Sequence, residues 1–217
     1  MSAQAPRFVT FEGIEGVGKS TQLRRVSEWL TSRGVAHVVT REPGGTPLAE
    51  RIRSLVLTAD GEPVPIVGEL LLMFAARAVH LANHIEPNLA AGRWVLCDRF
   101  TDATYAYQGG GRGVPTADIA RLETLVQGDR RPDLTLLLDV PVAVGLGRAG
   151  RRNAAAAGVD PDRFERERAE FFERVRAEYL ARAAAEPGRI AVIDAAGPID
   201  QVGARIHEVL RGRAWMP

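Results

Sequence analysis

The sequence predicts an α/β fold: a doubly wound, five-stranded parallel sheet flanked by helices, with a mobile LID segment at about 148–160. Three observations predict it. Short apolar runs alternate with longer helical stretches from Phe8 to about Leu210. One run, Leu134 to Asp139, is continuously apolar, as a central parallel strand covered on both faces should be. A glycine-rich loop, Gly13-Ile14-Glu15-Gly16-Val17-Gly18-Lys19-Ser20, joins the first strand to the first helix. At 217 residues the chain has room for one sizeable domain, 1–217, and is short for two.

Phe8 to Glu12 reads as the strand feeding that loop, and a helix follows from about Lys19 to Arg33. Gly34 stops the helix, and Val35 to Thr40 reads as the next strand. Arg41-Glu42-Pro43-Gly44-Gly45-Thr46 is a loop opening a helix near Pro47, a proline suited to a first turn. The breaker-rich stretch Asp60 to Pro65 precedes a long helix, Ile66 to Ala91, apolar nearly all round at first and therefore expected to be buried. Trp94 to Asp98, Leu134 to Asp139 and Ile190 to Asp194 complete the strands. Helices near 115–127, 141–150, 161–186 and 198–212 alternate with them.

Composition narrows the class. Charged residues make up 25% and hydrophobic ones 46%, ordinary values for a globular protein. A net charge of +1 gives no field for a nucleic acid polymer. The single cysteine, Cys97, excludes an internal disulfide and reads as an inert core residue. The first residues carry no apolar signal core, and no stretch reaches the ~20 uninterrupted apolar residues of a membrane span. The expectation is a cytoplasmic protein without a membrane partner. The four histidines show no metal-ligand spacing and are assigned no role.

Lys19 is the only lysine; the other 27 basic residues are arginine. Arginine and lysine cannot replace each other in a phosphate cradle, where a slim stem must carry a point charge to the β- and γ-phosphates. The loop is a complete P-loop in strand–loop–helix context, which makes the fold a P-loop NTPase. Backbone N–H groups of Gly13 to Ser20, with Thr21 following, would cradle the phosphates, and Ser20 would ligate magnesium. Asp98 ends an apolar strand and would hold Mg²⁺ through water. Arg77 interrupts an apolar helix, so it needs a partner, either a ligand or an internal salt bridge. Phe74, three residues earlier, could stack on a base. Thr104 to Gly113 combines tyrosines, Gln108 and a flexible glycine run, suiting a pocket that reads a base edge. Arg148, Arg151 and Arg152 precede a break at Ala154 to Gly158, like an arginine-bearing flap over transferring phosphates.

Together the P-loop, Thr40 to Thr46, Asp98-Arg99-Phe100 and Tyr107-Gln108-Gly109-Gly110-Gly111-Arg112-Gly113 closely resemble bacterial thymidylate kinase, over essentially the whole chain. The resemblance implies phosphorylation of dTMP by ATP with Mg²⁺, in a homodimer. It implies that Glu15 faces the sugar 3′-hydroxyl and that Arg53 and Arg99 hold the 5′-phosphate. Arg77 and Gln108 would bond the thymine, with Thr104 and Tyr107 nearby. Gly16 and Val17 are not basic, so the resemblance is to the type whose catalytic arginine lies in the LID, at Arg151 or Arg152, with Arg148 toward ATP. Relatives place the stacking phenylalanine four residues before the arginine; here that position is Met73, and Phe74 is favoured over it. Two other readings are a kinase for another nucleoside monophosphate and a non-catalytic nucleotide switch. The latter lacks an Asn-Lys-x-Asp segment, because the only lysine is in the P-loop.

Overall fold

The computed structural model of the protein describes residues 5–58, 62–155, 163–164, 167–213 and 215. Among these, five strands form one parallel sheet: β1 (Phe8–Glu12), β2 (His37–Arg41), β3 (Trp94–Asp98), β4 (Leu134–Asp139) and β5 (Ile190–Asp194), in the order β2-β3-β1-β4-β5. From β1 the chain goes to β2 at the sheet edge and returns to β3 between the two, then crosses to β4 and β5 on the other side. The crevice at the C-terminal end of β1 is therefore a topological switch point, where open α/β sheets bind ligands. The register sets Asp98 opposite both Phe11 and Arg41, so Glu12, Asp98 and Arg41 all finish at this edge.

Burial follows the pattern of the sequence. Every residue of β1 is buried, and so are the first five of β4. α1 (Lys19–Ser32) lays Leu23, Val26 and Leu30 on the sheet at helical spacing. α8 (Ala169–Ala185) does the same with Phe171, Val175, Tyr179 and Ala183. The helices between are α2 (Pro47–Leu57), α3 (Ile66–His80), α4 (Glu86–Ala90), α5 (Thr101–Thr104), α6 (Thr116–Gln127) and α7 (Val142–Ala155); α9 (Ile199–Gly212) closes the chain.

Several elements depart from expectation. β2 starts at His37 rather than Val35 and runs through Arg41. The helix expected over 66–91 is α to His80, then widens into a π turn at Leu81–Ile85 before α4. Pro87, two residues after that turn, has no N–H to donate into it. This run is not buried all round, because Ile66, Val67 and Leu71 are exposed. By length and composition Ile66–Ala90 could cross a membrane. It carries Glu69, Arg77 and His80 against the body of the protein, however, so here it is a core helix with one bare face. α8 begins at Ala169, not 161, while α7 continues past 150 to Ala155. The stretch expected to break at Ala154 to Gly158 lies outside the described residues from 156 on, as do positions 60 and 61 of the loop before α3.

Candidate active site

The P-loop wraps the C-terminal end of β1. Gly16 has φ 73°, and a Cβ there would run into the Gly145 carbonyl of α7, so the loop closes onto that helix only with glycine at this position. Ile14 and Val17 send their side chains into the core and offer only backbone to the cradle. Lys19 is buried, its Nζ 2.9 Å from both the Gly13 and Ile14 carbonyl oxygens. Burial pulls its pKa down to about 8, with the Arg99 charge adding to the effect. Ser20 Oγ donates to Asp98 Oδ2 at 3.3 Å, while Asp98 Oδ1 is buried without a hydrogen-bond partner. A hydroxyl beside a carboxylate with an unmet oxygen fits Mg²⁺, which binds through one or two carboxylates and keeps its other positions for water and phosphate.

Two clefts open from this edge. One, about 1050 Å³ in total, is lined by Gly16, Gly18, Lys19, Ser20, Thr21, Asp98 and, from α7, Arg148 and Arg152. The other, about 570 Å³, is lined by Met73, Arg77, Phe100, Thr104, Tyr107, Gln108 and Phe164. Glu15, Glu42, Arg53 and Arg99 line both, so the clefts meet at two carboxylates and two guanidinium groups.

Arg99 is the hub of that junction. Its Nη2 reaches Glu15 Oε1 at 2.8 Å and the Tyr107 hydroxyl at 2.9 Å, and its Nη1 reaches the Gly13 carbonyl at 3.1 Å and the Tyr179 hydroxyl at 3.2 Å. Tyr107 in turn donates to Glu15 Oε2 at 2.7 Å. Arg99 has φ 71°, a strained value for a residue with a side chain. Its neighbours hold the strain: Arg99 N–H donates to the Phe11 carbonyl, and Phe100 N–H donates to Glu12 Oε1 at 2.7 Å. Glu12 is fully buried and also accepts from the Tyr179 hydroxyl at 2.7 Å. Burial first, then the charge of Asp102, pushes its carboxyl up to about 7.

Arg77 has the internal salt bridge that its place in the helix left open. Its Nε donates to Glu42 Oε2 at 2.8 Å and its Nη2 to Thr104 Oγ1 at 2.9 Å, while Nη1 is buried without a partner at the wall of the smaller cleft. His80, assigned no role from sequence, braces the same carboxylate: Nδ1 lies 3.1 Å from Glu42 Oε1 and Nε2 2.7 Å from Thr40 Oγ1. Arg53 Nη1 donates to the Pro43 carbonyl at 2.9 Å, tying α2 to the same loop.

Three expectations are corrected here. Phe74 is not at the cleft. It is 2% exposed and packs with Leu70, Tyr105, Val114 and Ile119, whereas Met73, one helical turn before Arg77, lines the cleft. A one-residue step rotates a helical side chain by about 100°, which takes Phe74 to the interior face. Arg151 is not among the residues that line either cleft, whereas Arg148 and Arg152, four apart on one face of α7, both line the larger one. Arg148 Nη1 and Nη2 donate to the Ala195 and Ala196 carbonyls, each at 2.9 Å. The glycine run is not a flexible loop: Tyr105–Gly111 is a buried π-helical segment. A Cβ on Gly111 would collide with the Phe171 ring of α8, so glycine serves close packing there. Cys97 is buried as expected, and burial raises its thiol pKa well above the ordinary value.

The same arrangement has counterparts. The family model described as thymidylate kinase matches residues 11–206. This chain belongs to the thymidylate kinase family. It is 58% identical over 212 residues to the thymidylate kinase of Chromohalobacter salexigens, covering 96% of this chain and 98% of that one. It is 56% identical over 203 residues to that of Pseudomonas fluorescens, covering 94% of each. The crystal structure of thymidylate kinase from Ehrlichia chaffeensis superposes with a TM-score of 0.75 at 36% identity, covering 95% of this chain and 99% of that one.

Glu42, Glu69, Tyr179, Glu12 and His80 have no assigned role in the sequence reading. One signal pointed to Glu42: an arginine in an apolar helix requires a buried acceptor, and Glu42 lies in a loop already singled out.

Proposed function

We propose that the chain transfers the γ-phosphoryl group of ATP to dTMP, giving ADP and dTDP, within the single domain 1–217. The observation that carries this is the meeting of a P-loop cleft with an aromatic, arginine-bearing cleft at Glu15, Arg53 and Arg99. Phosphoryl transfer needs little covalent help from a protein; it needs the two phosphates in line and their charge met. ATP phosphates lie along the backbone of Gly13 to Thr21 with Lys19 between them. The dTMP 5′-phosphate sits between Arg53 and Arg99, and Glu15, oriented by Tyr107 and Arg99, accepts from the sugar hydroxyl. Thymine lies against Met73 and Phe100, with Arg77 Nη1 and Gln108 at its polar edge. Ser20 and Asp98 would hold Mg²⁺, which would neutralise part of the phosphate charge. Arg152 meets the charge of the moving phosphoryl group. A homodimer in the cytoplasm is part of the proposal; the bare apolar face of α3 at Ile66, Val67 and Leu71 supports a self-association surface.

The test is ADP release with and without dTMP, which should be strongly dTMP-dependent. Arg77→Ala should raise KM for dTMP about 5- to 150-fold, the equivalent of ~1–3 kcal/mol for an unpaired polar edge in a closed pocket. Calorimetric ATP affinity should stay near that of the unaltered chain. Loss of ATP affinity with an unchanged KM for dTMP would reject the pocket assignment.

A pH effect follows from Lys19. Burial pulls its ammonium pKa down to about 8, and only the charged form attracts phosphate. Bound phosphates would raise that pKa, so binding above pH 8 takes up a proton. ATP affinity should therefore hold steady below about pH 7.5 and fall by up to ~10-fold per unit above 8. Calorimetry in two buffers of different ionisation enthalpy measures both affinity and proton uptake. Flat affinity from pH 7 to 9.5 would contradict the assignment.

A further inference from the structure

We propose that Glu69 fixes the orientation of the Gln108 amide and thereby makes the base cleft select thymine over cytosine. The inference rests on the reading of that cleft as the dTMP site. Gln108 is 1% exposed and its Nε2 donates to Glu69 Oε1 at 2.7 Å. Glu69, on α3, has no exposed surface. Its other oxygen, Oε2, takes the Arg163 Nη2, and the Arg112 guanidinium lies 3.6 Å away. A carboxylate held between two guanidinium groups is an acceptor only. It can face the NH₂ end of an amide and not the carbonyl end, which would bring two acceptors together in a buried site. The other end of the amide is left to the cleft that Gln108 lines: Oε1 and the remaining N–H, side by side in fixed order.

That order discriminates between pyrimidines. Thymine presents O4, an acceptor, beside N3–H, a donor. Cytosine presents an amino donor beside N3, an acceptor. A glutamine amide can pair with either edge, but only by exchanging its oxygen and nitrogen, the flip that Glu69 forbids. Arg77 Nη1, a donor in any orientation, favours O4 as well. The discrimination is therefore shared, and Glu69 is a positioning residue that acts through Gln108.

The test compares kcat/KM for dTMP and dCMP in the unaltered chain and in Glu69→Gln, whose neutral amide can accept or donate and so permits the flipped Gln108. The dTMP:dCMP preference should fall at least 10-fold, chiefly through KM, with ATP affinity unchanged. Glu69→Asp, which keeps an acceptor, should restore most of the preference. A variant damaged only in its fold would lose turnover of both nucleotides in proportion. If Glu69→Gln does not fold, isotope-edited NMR of the unaltered chain answers the question. The Gln108 side-chain protons, assigned by their loss in Gln108→Leu, should include one shifted downfield and protected from exchange. Two solvent-like amide protons, or a preference unchanged in Glu69→Gln, would overturn the role of Glu69 while leaving the kinase reading intact. Absence of dTMP turnover in the unaltered chain would overturn both.

Discussion

Lys19→Arg should reduce kcat by ~10²–10³-fold, the range for removing one preorganised donor from a developing charge, although the charge itself is retained. The cause is room. The buried ammonium sits 2.9 Å from two loop carbonyls, in a loop that packs against α7 where Gly16 approaches Gly145. A planar guanidinium is wider than this space and cannot rotate its donors onto both the loop and the phosphates. The loop cannot open to admit it without losing its contact with α7. Because arginine is the residue used at the other 27 basic positions, the chain offers its own comparison of the two side chains. Steady-state turnover in a variant shown by its melting curve to be folded is the measurement. A kcat within threefold of the unaltered chain would mean that charge, and not shape, is what this position requires.

Much of the fold was legible because it is written in local pattern. An apolar run such as Leu134 to Leu138 has few options besides a central strand, and the P-loop is short enough for each residue's part to follow from backbone geometry. Of the candidate site, the sequence locates what stands in the P-loop or at a strand end, as with Lys19, Asp98 and Arg99, all of which line the larger cleft. The site was not legible where a role depends on which way a helix faces. Met73 and Phe74 differ by one position, and aromatic chemistry favoured the one that the helix turns into the core. Arg151 and Arg152 are the same residue type side by side, and only the course of α7 separates them. The glycines at 109–111 suggest mobility, but Gly110 and Gly111 serve a close contact with α8, far along the chain. Glu42, Glu69 and Tyr179 were missed for a related reason. They act by bracing other side chains across long sequence separations, which no local spacing reports.

Arg152→Ala should lower kcat by ~10²-fold or more, at the lower end of or below the range for a lost arginine finger, with small changes in the dissociation constants of ATP and dTMP. The P-loop carries no base but Lys19, and Arg99 is already engaged with Glu15, Tyr107 and Tyr179 at the junction of the clefts. Charge developing on the phosphoryl group in flight needs a further cation. Arg148 and Arg152 are the arginines of α7 that line the phosphate cleft. Arg148 is anchored on two carbonyls after β5, so it is held in place and suits a ground-state contact with ATP. Arg152 lies one turn further along the helix and is exposed, within the stretch of about 148–160 that the resemblance assigns to the LID. An interaction formed mainly in the transition state lowers kcat and kcat/KM together and leaves binding nearly unchanged. Arg148→Ala should do the reverse, weakening ATP binding more than it slows the chemical step. Arg151→Ala should be close to neutral, because its side chain is not at the cleft. Single-turnover rates for the three variants, set beside calorimetric affinities, separate these outcomes. A slow Arg151→Ala with a normal Arg152→Ala would mean that α7 turns when both nucleotides are bound, bringing the other arginine to the phosphates.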